Sequence, residues 1–209
     1  MITMKFGGTS VGTPESIRQV CALVKAEVSR SPVVIVSAHN SPKVRMTDTL
    51  IAAARAAQAG KPDASKVIEA QHWICDGLGV DPKTTGVERL LDRFDKLLSG
   101  IAMIGELTPR TMDVVMSFGE RMSARVMNDV LRREFDINSD YRSAITLGLR
   151  TDDHFGSARP DPQCYPAAAK PISALTSDVL STTGLIAPRA HGRTTTPAPA
   201  GSASPPPIS

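Results

Sequence analysis

The sequence predicts an α/β fold, a sandwich of helices packed on a mainly parallel sheet. Three observations carry this reading. The short apolar run Ile2 to Phe6 ends at Gly7-Gly8. An amphipathic helical pattern follows it, and the β-branched run Pro32 to Val36 follows the helix. Strand, glycine turn, helix and strand in that order form a βαβ unit, whose two strands pair in parallel.

The elements follow in order. Thr13-Pro14-Glu15 is a helix start, with a capping hydroxyl, a proline at the first helical position and an acid in the first turn. Ile17, Val20, Cys21, Val24 and Val28 recur at helical spacing, which carries the helix to about Arg30. Pro32 to Val36 reads as a strand buried on both faces. Helical patterns then dominate, at about 47–59, 64–77 and 85–98. Thr108-Pro109 opens another helix, and 120–134 is helical again. A third strand is expected within 136–143. Two or three legible strands are few for a complete sheet.

A chain of 209 residues suits one domain with or without a tail. The net charge of +3 and 4% aromatic content give no case for nucleic-acid binding, by charge or by base stacking. No run of about 18 apolar residues is present, so no membrane span is expected. The N-terminus lacks a basic segment followed by an apolar one, so no secretory signal is expected. Cys21, Cys75 and Cys164 form neither an even disulfide set nor a CxxC pattern. They read as reduced thiols, which predicts a cytoplasmic protein.

Composition changes near Arg159. Residues 160–209 hold 10 of the 16 prolines and five charged residues. From Pro197 to Ser209 the chain is uncharged and nearly all Pro, Ala, Gly and Ser, a composition that cannot bury enough apolar surface to offset its ordering entropy. The expected organisation is 1–159 as the main body, 160–196 as a continuation of weaker pattern, and 197–209 as a disordered tail.

The glycine turn is the first candidate site. Glycines admit close backbone approach and positive φ, and successive N–H groups before a helix form an anion site. Lys5 is a compact cation able to offset charge on a transferred phosphoryl group, and Thr9 and Ser10 add hydroxyls. The lysine precedes the glycines, so this is not a Walker A loop, and no G-x-G-x-x-G is present. On chemistry alone the turn is either a phosphate cradle or an ordinary tight strand–helix connection.

Four ordered segments carry a resemblance. Lys5-Phe6-Gly7-Gly8-Thr9-Ser10-Val11-Gly12 resembles the N-terminal signature of aspartate kinases of the amino-acid kinase family. Val34 to Ala38 with Met46 to Leu50 resembles their V-V-S-A…T-D-x-L block. Ser117 to Ala124 resembles S-F-G-E-R-x-S-A, and Arg150 to Gly156 resembles a segment of the monofunctional members.

The resemblance implies an αβα sandwich of the amino-acid kinase type, incomplete on its C-terminal side. It implies transfer of the ATP γ-phosphate to the β-carboxylate of L-aspartate with Mg²⁺, the step that opens lysine, threonine and methionine biosynthesis. Lys5 would contact the phosphates and act in catalysis, with Gly7, Gly8 and Thr9 as the cradle and Ser37 lining the site. Thr47 would hydrogen-bond the substrate carboxylate and Glu120 would pair with its ammonium. No residue is assigned as a protein ligand to a metal.

Without the resemblance, Glu120 reads as an acid near a helix start, favoured there by the macrodipole. Ser37 and Thr47 read as caps. His154 beside Asp152 and Asp153 reads as a surface turn, and the methionines from Met103 to Met127 as core filling.

Thr183 to Ala187 and Gly192 to Thr196 still resemble the family's T-G-F-I-A…G-R-T-T-T stretch. The family continues L-G-R-G-G-S-D, whose arginine pairs with the substrate α-carboxylate. Here Pro197 to Ala203 contain neither Arg nor Asp. A match that stops so abruptly predicts a reading-frame change or truncation. The chain is then an N-terminal kinase fragment with little activity of its own, or a non-catalytic partner of a full-length kinase. An incomplete sheet also predicts self-association through its open edge.

Overall fold

The computed structural model describes residues 1–152, 159, 161–174, 176–184, 187–188 and 194–195. Its centre is a four-stranded sheet formed by β1 (Ile2–Phe6), β2 (Pro32–Val36), β3 (Ser139–Tyr141) and β4 (Val179–Thr183), in the spatial order β1-β2-β4-β3. All three pairings are parallel. The α/β sandwich and parallel opening unit are therefore as expected, with Ile2 registered on Pro32 and Phe6 on Val36.

Strand β4 lies between β2 and β3, although it comes from beyond the composition change at Arg159. All five of its residues are buried, including Ser181, Thr182 and Thr183. The change in composition does not divide the fold. The tail 197–209 and His154 lie outside the described residues.

One sheet face carries Val34, Val36, Val179, Ser181 and Thr183, and packs on α5 (Pro109–Arg133), against which α1 (Pro14–Ala26) and α2 (Met46–Gln58) lie in the same core. Helices α3 (Ser65–Leu78) and α4 (Val87–Ile104) pack outside these. Phe94 of α4 meets Phe118 of α5 edge to face at 5.4 Å, a geometry worth about 0.5–1.5 kcal/mol beyond burial. The opposite face carries Thr3, Lys5, Val33, Ile35, Leu180 and Thr182. Ile172 of α6 (Tyr165–Ser173) borders a small cavity of about 190 Å³ there with Val33 and Leu180.

Several expectations change. Val33 and Ile35 are half-buried, so β2 is fully buried on one face only. The first helix ends at Ala26, and the backbone tightens into a 3₁₀ turn, Val28–Arg30, before Ser31 at φ 49°. Gly100 does not stop α4, which runs on to Ile104. The two helices expected at 109 and 120 are one, because Gly119 sits against other elements and is needed in mid-helix. No helix among the described residues is long and apolar enough to cross a membrane.

Candidate functional site

Strand β1 delivers the glycine turn to the C-terminal end of the sheet, where parallel α/β folds place their ligands. Thr13 caps α1 through a reciprocal pair with Ser16: its hydroxyl accepts from the Ser16 amide, and the Ser16 hydroxyl accepts from the Thr13 amide. Between strand and cap, residues 8–11 make a 3₁₀ turn in which the Ser10 amide donates to the Gly7 carbonyl at 3.0 Å.

The glycines act by space and not by dihedral, for neither Gly7 nor Gly8 has positive φ. A Cβ on Gly8 would lie 2.6 Å from the Ala38 carbonyl oxygen and 2.9 Å from Asn40 Cβ. One on Gly12 would overlap the Asn40 carbonyl. The turn thus packs backbone to backbone on the segment after β2, with the Asn40 amide donating to Gly8 at 2.9 Å. Gly7 is exposed, and nothing lies within 4 Å of where its Cβ would be. A side chain is excluded at Gly8, and the approach over Gly7 is open.

Lys5 is exposed on the outer strand, one residue before the strand end and registered on Ile35. Thr9 is also exposed. Ser37 is half-buried directly after β2, and its amide donates to the Phe6 carbonyl at 3.1 Å. It caps no helix. Thr47 is an exposed residue in the first turn of α2, whose N-cap is Arg45, so the capping reading fails for both.

Glu120 is the sharpest correction. It lies in the middle of the 25-residue α5, far from the helix start, and is 4% exposed. The macrodipole therefore does not account for it. Its Oε1 lies 3.8 Å from the point where a Cβ on Gly184 would stand, just past the end of β4. The Gly184 amide donates to the Val36 carbonyl at 3.2 Å, tying that glycine to the end of β2. Ile35, the register partner of Lys5, brings its Cγ2 within 3.3 Å of the same Cβ point. Lys5 and the Glu120 carboxylate thus both stand near the C-terminal end of the sheet, where Ile35 neighbours Lys5 by register and Gly184 by contact.

The sequence reading missed three residues here. His39 is buried, and its Nδ1 donates to the Val11 carbonyl at 2.6 Å, binding the segment after β2 to the glycine turn. Desolvation pulls its pKa down to about 4. Asp113 is fully buried two turns before Glu120 on the same α5 face, a spacing of seven that was readable as helical periodicity. Gly119 lets α5 close on the β2–α2 segment: its Cβ would sit 2.8 Å from Ala38 Cβ.

Comparison with known proteins then decides the family. The model of the Amino acid kinase family matches residues 1–186. The chain belongs to that family. Within it, the chain is 32% identical over 173 residues to aspartokinase 1, chloroplastic, of Arabidopsis thaliana, covering 80% of this chain. It is 33% identical over 176 residues to aspartokinase 2, chloroplastic, of the same plant, covering 81%. It spans 29% and 31% of the length of these two relatives. Its fold matches E. coli aspartokinase III, a structure in complex with aspartate and ADP, with a TM-score of 0.70 and 26% identity, covering 97% of this chain and 44% of that one. The aspartate kinase of Clostridium acetobutylicum shares the fold at a TM-score of 0.66 and 17% identity.

Proposed function

We propose that the chain carries the phosphate end and the amino-acid end of an aspartokinase site, for transfer of the γ-phosphoryl group of MgATP to the β-carboxylate of L-aspartate. The observation that carries this is the buried Glu120 carboxylate at the same sheet end as Lys5 and the glycine turn. A buried acid facing a strand end complements a substrate ammonium. An exposed lysine beside bare backbone complements phosphate oxygens.

The nucleophile needs no base, because a carboxylate is already ionised at neutral pH. Catalysis is then positioning and charge stabilisation. The Lys5 ammonium offsets charge on the transferring phosphoryl oxygens. The amides of Gly7, Gly8 and Thr9 cradle the phosphates, and Ser37 lines their path. Glu120 holds the α-ammonium, and Thr47 donates to a carboxylate of aspartate. The described residues offer no group of three or more His, Cys, Asp or Glu side chains fit to hold a metal. We take Mg²⁺ as part of the nucleotide substrate, MgATP, whose charge it would offset.

Residues 197–203 offer no arginine for the aspartate α-carboxylate. A missing charge-assisted pair costs about 1.5–3 kcal/mol, or about 10- to 150-fold in affinity. Weak aspartate binding and slow turnover are expected. Trapping the acyl phosphate with hydroxylamine tests the proposal. Hydroxamate that requires ATP and aspartate, and that Lys5→Ala abolishes, supports it. Equal hydroxamate with glutamate in place of aspartate, or none above blank at saturating aspartate, contradicts it.

A further inference from the structure

Four arginines gather on the side of the molecule away from β1. Arg89 and Arg93 stand on α4, and Arg121 and Arg125 on α5. Arg125 stacks on the ring of Tyr141, at the end of edge strand β3, with Cζ 4.6 Å from the centroid. Arg121 lies 5.4 Å from the Phe118 centroid. Both guanidinium groups thus lie within cation–π range of an aromatic ring, a contact that uses the cation's face and none of its N–H donors. Among the described residues none of the four has an ion-pair partner.

Two atoms make this more than a charged surface. Nε and Nη1 of Arg125 are both buried with no hydrogen-bond partner among the described residues. A buried cationic donor without an acceptor is costly. Two neighbouring acids are engaged elsewhere: Glu88 with His72 at 3.2 Å, and Asp129 with Arg133. The backbone is also shaped to seat the side chains. Gly86, at φ +73°, starts α4, and a Cβ there would stand 3.1 Å from Arg89 Nη2 and 3.9 Å from Arg125 Nε. The missing side chain lets both guanidinium groups lie over the same point.

We propose that Arg89, Arg93, Arg121 and Arg125 form an oxyanion site between α4, α5 and β3, and that its ligand class is a phosphate group. Planar guanidinium forks match phosphate oxygens in pairs. A dianion offsets more of this clustered charge than one carboxylate does. Burial and the neighbouring Arg93 and Arg125 cations lower the Arg121 pKa, which fits a cluster of like charges in need of an anion. The site is separate from the glycine turn, since Tyr141 and Lys5 are on strands at opposite edges of the sheet. It does not depend on the proposed kinase activity.

The test is binding of inorganic phosphate to the full chain in the Lys5→Ala background, by calorimetry and thermal shift, against sodium chloride at equal ionic strength. Phosphate is expected to bind and raise Tm. Arg125→Gln and the exposed-site variant Arg89→Gln are each expected to weaken binding at least 10-fold. Arg89→Gln keeps the result interpretable if Arg125→Gln fails to fold. Equal phosphate binding in Lys5→Ala and in Lys5→Ala with Arg89→Gln overturns the proposal. So does a concentration-dependent dimer that Arg89→Gln dissolves and phosphate does not affect, because the arginines would then face acids of a second copy.

Discussion

His39 holds the Val11 carbonyl with its Nδ1 hydrogen across 2.6 Å, and its other ring nitrogen is buried without a partner among the described residues. The bond ties the segment after β2 to the glycine turn, so the two walls of the candidate site move together.

That arrangement makes stability pH-dependent. The folded chain holds His39 neutral, with its pKa lowered from 6.5 to about 4, chiefly by desolvation. Unfolded, the ring takes a proton near pH 6.5. The unfolded state therefore binds more protons between these values, and stability falls as pH drops from about 6.5 towards 4. The full effect is on the order of 3 kcal/mol. Urea denaturation at pH 7 and pH 5 is expected to show a smaller difference in His39→Asn than in wild type. Equal differences contradict this.

Gly119→Ala sets two effects against each other. Alanine favours the helix interior by up to about 1 kcal/mol. Its Cβ would also fall 2.8 Å from Ala38 Cβ and 3.2 Å from both Leu50 Cδ1 and Met46 Cγ, and overpacking of that kind costs about 1–3 kcal/mol. Tm is expected to fall by about 2–4 °C for each net kcal/mol lost. A rise in Tm counts against the packing described.

Thiol chemistry offers a simple check. Cys21, Cys75 and Cys164 are free and buried. Burial pushes the Cys21 thiol up to about 12 and the Cys75 thiol up to about 11. Neither forms thiolate at neutral pH. Titration with an aromatic disulfide reagent is expected to label these two slowly in the native chain and all three after denaturation. Rapid native labelling of Cys21 or Cys75 contradicts their burial.

Trp73 is the single tryptophan, and the Lys43 ammonium lies 4.3 Å from its ring centroid. This contact pins the segment between β2 and α2 to α3. Lys43→Met is expected to change Trp73 emission and to cost about 0.5–1 kcal/mol. Unchanged emission contradicts the contact.

The local signals that were legible are those whose cause is local. Thr13-Pro14 starts a helix through its own hydroxyl and ring, and Ile2–Phe6 and Pro32–Val36 announce strands by their apolar runs. Strand β4 was not legible, because Ser181, Thr182 and Thr183 look like a polar loop until β2 and β3 enclose them. Gly119 looked like a helix break because its reason, the Ala38 methyl, lies across the fold. Glu120 was picked out by resemblance, while its burial in mid-helix emerges only once α5 lies across the sheet. The arginine cluster had no pattern in sequence, since two helices and a strand edge assemble it.

The central claim is that Lys5 and Glu120 serve one site, at one end of the sheet, with separate partners. Equilibrium titration of wild type, Lys5→Ala and Glu120→Gln with MgADP and with L-aspartate measures this directly. Lys5→Ala is expected to weaken the nucleotide at least 10-fold and leave aspartate little changed, and Glu120→Gln to do the opposite. Nucleotide binding indifferent to Lys5, together with aspartate binding indifferent to Glu120, would contradict the account.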